Sequence, residues 1–145
     1  MFIVNVEGAI RKDDKWLVIK RSKKEEHAGG LLSLVGGKVE IEGNATNILE
    51  RTVKREILEE VGIKVKEQLS YLHSTSFVTD TGENVVDIVF LCDYESGEAV
   101  PKSPDEVEAV LWLTTNEIYS HSKSPIYLKE SIKLAEALVS IRSAL

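Results

Sequence analysis

Residues 48–61, ILERTVKREILEEV, carry the longest uninterrupted helical pattern between strand-like segments, and their place in the chain restricts the fold more than any other feature. Val53, Ile57 and Val61 recur at a spacing of four, which sets them on one face of a helix predicted from Ile48 to Val61. Asn47 is the expected N-cap, with Glu50 three residues on as its capping-box partner, and Gly62 is the expected C-cap. Strand patterns precede it at Phe2–Ile10 and, after the turn Lys12-Asp13-Asp14, at Trp16–Lys20. Ser22–Gly30 is a charged loop, and the short apolar run Leu31–Val35 ends at Gly36-Gly37. Beyond the helix lie two longer strands, about Gln68–Val78 and Val85–Tyr94, joined by the turn Asp80-Thr81-Gly82-Glu83. Val107–Leu113 is another strand, and a short helix follows over Thr115–Ser120, capped by Thr114 or Thr115. Pro125 opens a last helix to about Ser143, with Ile126, Leu128, Ile132, Ala135, Leu138, Val139 and Ile141 as its apolar stripe. Strands on both sides of one helix, closed by a second, predict an α+β chain: a mixed β-sheet packed between helices as an α/β/α sandwich. No repeat or linker divides it, so residues 1–145 read as one domain.

The same helix concentrates charge. At about 100° per residue, Glu56, Glu59 and Glu60 share one arc beside the apolar face. Like charges at these spacings repel by a few tenths of a kcal/mol, roughly, and the last turn of a helix disfavours anions. Two readings fit this pattern: a solvated acidic face, or a cluster relieved by a divalent cation. All-oxygen donors suit Mg²⁺ or Mn²⁺ better than zinc.

Charge narrows the partners. Eighteen Lys and Arg against 24 Asp and Glu leave a net charge of −6, so a basic nucleic-acid-binding surface is not expected, and a phosphorylated ligand needs a mediating cation. No apolar run is long enough to cross a bilayer, and residues 1–15 do not read as an export signal. The single cysteine, Cys92, sits among apolar Val89, Phe90 and Leu91 and reads as core. One cysteine fits a reducing compartment, and cytoplasmic residence is the expectation. P-loop, dinucleotide-fingerprint, paired-cysteine and zinc-protease motifs do not occur.

Arg55-Glu56-Ile57-Leu58-Glu59-Glu60-Val61-Gly62-Ile63 satisfies every specified position in the second half of the Nudix box, G-x5-E-x7-R-E-U-x-E-E-x-G-U with U apolar. The chain therefore resembles the Nudix (MutT-like) hydrolases. The strand with Trp112 and the short helix with Glu117 resemble the C-terminal part of that family. The first half of the box departs. Seventeen residues separate Gly37 from Arg55, four more than the pattern; Asn47 stands where the first box glutamate is expected, and Val35 precedes Gly36 where relatives commonly have proline. In the family that glutamate fastens the loop to the helix, often against the box arginine. Here Glu40 or Glu42 is placed to reach Arg55 from the longer loop.

The resemblance implies hydrolysis of a phosphoanhydride in a nucleoside diphosphate linked to another group, by water attacking phosphorus with Mg²⁺ (Mn²⁺ as a substitute). Carried over by position, Glu56 and Glu60 are the principal metal ligands, Glu59 a further one, and Gly37 contributes its backbone carbonyl. Arg55 orients Glu56 or the loop, and the catalytic set is Arg55, Glu56 and Glu59. The general base is Glu56 or a loop carboxylate, with Glu83, Glu106 and Glu108 as candidates. The partner is a small nucleotide, and homodimerisation is a common arrangement for such domains. A non-catalytic Nudix-fold nucleotide-binding or regulatory domain is the alternative. His27, His73 and His121 read as polar strand or loop residues. Phe77, Phe90, Tyr94 and Trp112 read mainly as core, with base stacking as the other option.

Overall fold

The computed structural model describes residues 1–25 and 27–144. Its strands are β1 (Phe2–Lys12), β2 (Lys15–Arg21), β3 (Leu32–Ser33), β4 (Val35–Lys38), β5 (Lys64–Val65), β6 (Ser70–Val78), β7 (Asn84–Ser96) and β8 (Val107–Thr114). Its helices are α1 (Ile48–Val61), α2 (Thr115–Ser120) and α3 (Ile126–Ala144). The expected mixed sheet between helices is present. β1 runs parallel to β7 from Phe2↔Asn84 to Arg11↔Asp93, while β6 and β5 pair antiparallel with β7. On its other edge β1 pairs antiparallel with β4 along Asn5–Gly8 and, at Arg11 and Lys12, with β2. β2 carries the antiparallel partners β3 and β8.

Strand alternation splits the interior into two cores. Val6 and Ile10 of β1, with Phe90 and Cys92 of β7, pack against Val53, Ile57 and Val61 of α1. Ala9, Val89 and Leu91 point the other way, onto Ile118 of α2 and Leu128, Ile132 and Ala135 of α3. α1 is thus pinned by the three residues its spacing singled out, and its border residues are aimed at the end of β4. Cys92 is buried as expected, and that burial pushes its thiol up to about 12.

Four features of the fold differ from the expectation. The run Leu31–Val35 is two strands, because β3 belongs to β2 and β4 to β1, and Gly36-Gly37 lie inside β4 rather than after it. Asn47 precedes α1 in a left-handed conformation (φ 53°) and makes no side-chain cap bond, so the box with Glu50 does not form. β5, hydrogen-bonded to Tyr94 and Ser96 of β7, has no counterpart among the expected strands. Ile126 and Ile141 of the α3 stripe are exposed, since only the middle of that helix rests on the sheet. Gly62 caps α1 as expected, at φ 75°, donating its N–H to the Leu58 carbonyl. The cap on α2 is Thr114, in a reciprocal box with Glu117. Among the described residues, no helix is long and apolar enough to cross a membrane.

Candidate active site

The side chains bordering α1 open into a cavity of about 370 Å³ between that helix and the end of β4, lined in part by Gly36, Gly37, Glu56, Glu60 and Glu106. Glu56 and Glu60, one turn apart, are the two box carboxylates that face it. Glu60 is only 7% exposed, and among the described residues its Oε2 is buried without a hydrogen-bond partner. Such an orphan acceptor is costly unless something with positive charge or a proton meets it. Burial first, then contact with the Glu106 carboxyl and repulsion from Glu56 and Glu106, pushes Glu60 up to about 9. Glu56 is raised as well, by burial and by Glu59 and Glu106, against the lowering influence of Arg55.

Arg55 is shared. Its Nη2 donates to Glu56 Oε1 at 3.2 Å, its Nη1 lies 3.7 Å from Glu40 Oε2, and its Nε lies 3.9 Å from Glu59 Oε1. Glu59 is drawn along the outside of the helix, with a side chain 60% exposed, and it does not line the cavity. Glu40 is therefore the loop carboxylate that reaches Arg55, while Glu42 goes to Arg51 at 2.7 Å. Among the described residues no three His, Cys, Asp or Glu side chains converge on one point. Glu56 is turned to Arg55 and Glu60 to Glu106.

The two glycines are sterically required. A Cβ on Gly36 would sit 2.8 Å from Glu7 Cα, and one on Gly37 would sit 2.6 and 2.8 Å from the oxygens of Glu56. Gly36 lets β4 close on β1, and Gly37 leaves room for the Glu56 carboxylate against the strand backbone.

Of the three loop carboxylates, only Glu106 lines this cavity. Glu83 stays in the β6–β7 turn with Thr79 and Thr81, and Glu108 is paired with Lys20 at 2.9 Å, which lowers its pKa. Sequence reasoning missed Asn5, Glu7 and Asp87, which help line a second cavity of about 410 Å³ on the α3 side of the sheet. Glu7 and Arg21 line both cavities. Asn5 Nδ2 donates to Asp87 Oδ1 at 2.8 Å, and Asp87 is 7% exposed. Burial, then the neighbouring Asp87 carboxyl, holds Glu7 well above the usual carboxylate range. The signal was available: these polar residues interrupt the apolar alternation on the face that also carries Ala9 and Val89. Phe77 is a correction too. It lines the second cavity, partly exposed, with the His27 ring stacked on it at 5.7 Å and 6°. His73 bonds Ser131 at 2.9 Å there, whereas Tyr94 and Trp112 meet edge-on elsewhere and Phe90 is core.

The raised carboxyls carry a pH prediction for the metal-free domain. A group whose pKa is higher in the folded state stabilises that state below its unfolded value and loses this contribution as pH rises. For Glu60 the window runs from about 4.5 to about 9, and Glu7 acts in the same direction. Thermal melts in EDTA should show falling Tm across that range. A flat or rising Tm from pH 6 to 9 would contradict the assigned protonation of Glu60.

A family profile described as the NUDIX domain matches residues 1–134. The chain belongs to the Nudix family. A MutT NUDIX hydrolase from Burkholderia pseudomallei superposes on this Nudix chain with a TM-score of 0.78 at 29% identity, covering 92% of this chain and 98% of that one. An ADP-ribose pyrophosphatase of Methanocaldococcus jannaschii is 35% identical over 126 residues, 83% of this chain and 69% of that protein. The NAD-capped RNA hydrolase NudC of Photobacterium profundum is 34% identical over 110 residues, 76% of this chain. The Nudix chain spans 37% of that relative's length. Nudix hydrolases generally use divalent metal ions.

Proposed function

We propose that this Nudix domain hydrolyses a phosphoanhydride bond in a nucleoside diphosphate linked to a second group, with Mg²⁺ as its metal. The observation that carries this reading is the buried, unpartnered Glu60 oxygen beside Glu56 and Glu106, in a cavity that shares Glu7 and Arg21 with an aromatic-lined neighbour. The donor set fits a hard cation: carboxylate oxygens only, one of them orphaned, with mutual repulsion that a cation relieves.

Glu56 and Glu60 would hold the metal, with the Gly37 carbonyl and Glu59 as the further ligands expected from the box. A bound divalent cation supplies charge neutralisation at the diphosphate and acidifies water. The chain's own groups do the rest. Arg55 fixes the Glu56 carboxylate by a charge-assisted hydrogen bond. Glu106, the loop carboxylate at the cavity, accepts the proton of the attacking water. Arg21 places a guanidinium at both cavities, where it offsets phosphate charge. Phe77 and the floor of Asn5, Glu7 and Asp87 receive a planar group of the substrate, leaving its diphosphate toward Glu56. The named relatives make ADP-ribose and NAD-type dinucleotides the first compounds to try. A small nucleotide in the cytoplasm, rather than a long nucleic acid, suits the net charge of −6.

The test is product analysis after incubation with ADP-ribose, NAD, nucleoside triphosphates, sugar nucleotides and a NAD-capped RNA, each in Mg²⁺ and in EDTA. Cleavage between two phosphates of at least one compound, abolished by EDTA, is expected. Binding without cleavage of any of them would favour the non-catalytic alternative.

A further inference from the structure

The segment 39–47 that departs from the Nudix box is fastened to α1 at two matched points. Arg51 and Arg55 are one helical turn apart, so their side chains leave the same face about 6 Å from each other. Glu40 and Glu42 are two residues apart on the segment leaving β4, a spacing that puts side chains on one side of an extended chain at about 6.6 Å. The two spacings agree, and the pairs form in antiparallel order: Glu40 with Arg55 at 3.7 Å and Glu42 with Arg51 at 2.7 Å. Ile41 between them is fully exposed, as alternation requires, and Val39 N–H still bonds the Val4 carbonyl of β1. Val39 packs against the core that α1 covers, Asn47 makes no side-chain cap bond among the described residues, and these two ion pairs add polar ties from the segment to α1.

The two pairs have different consequences. Arg51 touches only Glu42 among the ion pairs of the described residues, whereas Arg55 is shared by Glu40, Glu56 and Glu59. A guanidinium drawn toward Glu40 neutralises less of Glu56. Glu40 also lines the 370 Å³ cavity, where it adds negative charge near the donors. We propose that Glu40 is a positioning residue: by sharing the Arg55 guanidinium, which stays hydrogen-bonded to Glu56, it leaves less of that positive charge on the Glu56 carboxylate and so favours a divalent cation there, while Glu42–Arg51 adds a second tie to the segment that carries it. The inference rests on the metal reading above.

Exposed ion pairs are each worth little, and Glu40 is 73% exposed, so the expected effects are a few-fold. Direct Mn²⁺ binding, followed by electron paramagnetic resonance, gives a readout separate from turnover. Glu40→Gln is expected to raise the Mn²⁺ dissociation constant, and the Mg²⁺ concentration for half-maximal activity, about threefold each. Glu42→Gln should leave both within twofold but speed hydrogen exchange over residues 39–46. The swap Glu42→Arg with Arg51→Glu should restore exchange to wild-type rates. Unchanged Mn²⁺ binding in Glu40→Gln, or an equal weakening in Glu42→Gln, overturns the role given to Glu40. A wild-type protein that binds no Mn²⁺ overturns the metal reading itself, and Glu40's role with it.

Discussion

Glu60→Gln is expected to lower metal-dependent turnover by about two to three orders of magnitude while leaving the metal-free domain at least as stable as wild type above pH 7. The two effects separate because they have different causes. At neutral pH the folded, metal-free protein already keeps Glu60 largely protonated, since burial and the Glu56 and Glu106 carboxyls penalise its charge. Glutamine has nearly the same shape, carries no charge, and its amide can donate to Glu106. Folding therefore loses nothing and is spared the cost that grows as pH approaches 9. A cation, by contrast, loses a buried anionic donor for which glutamine's neutral carbonyl is a poor replacement. Glu56→Gln should reduce turnover comparably. Glu59→Gln should do so less, because the Glu59 side chain stands outside the cavity. Wild-type turnover in Glu60→Gln, or loss of its fold, would contradict this assignment.

The adjacent glycines offer the second large effect, with opposite outcomes at neighbouring positions. Gly36→Ala forces a methyl against the β1 backbone, 2.8 Å from Glu7 Cα, where no side chain can move aside. Overpacking of this kind costs about 1–3 kcal/mol and can cost more when backbone must shift. Loss of β1–β4 pairing would show as a much lower urea midpoint. Gly37→Ala instead meets the Glu56 carboxylate, which can rotate away, so the domain should stay folded with a Tm within a few degrees of wild type. Activity should nevertheless fall by about two orders of magnitude, because that rotation takes Glu56 out of place. Equal stability in both variants would show that β4 does not close on β1 as described.

How far the sequence disclosed this arrangement depended on whether a residue's role was local or tertiary. The α1 limits, Ile48 and Val61, and the inward set Val53, Ile57 and Val61 were readable, because helical periodicity and the Gly62 cap are local properties. β5 was not, since Lys64–Val65 is a strand only through its pairing with β7. Gly36-Gly37 read as the end of the apolar run, yet β1 leaves no room for a side chain at Gly36, which makes glycine the strand residue there. Asn47 is a residue type that caps helices, but it takes a left-handed backbone and makes no side-chain cap bond, which composition does not disclose. Glu106 could be named as a candidate but not chosen over Glu83 and Glu108, because only the folded chain brings it against Glu60. Asn5, Glu7 and Asp87 were legible in principle as polar breaks on an inward strand face, and Phe77 was hidden by the expectation that a strand aromatic is core.

Glu56 and Glu60 are proposed to form a cation site whose occupant replaces a proton. Calorimetric titration of Mg²⁺ or Mn²⁺ into the metal-free protein at pH 7–8, in buffers of different ionisation enthalpy, measures both events together. Wild type should bind the metal and release protons as the Glu60–Glu106 carboxyls ionise on binding, and Glu60→Gln should bind far more weakly and release fewer. Equal metal binding by the two proteins, or wild-type binding with no proton released, would rule out Glu60 as a metal ligand that gives up a proton.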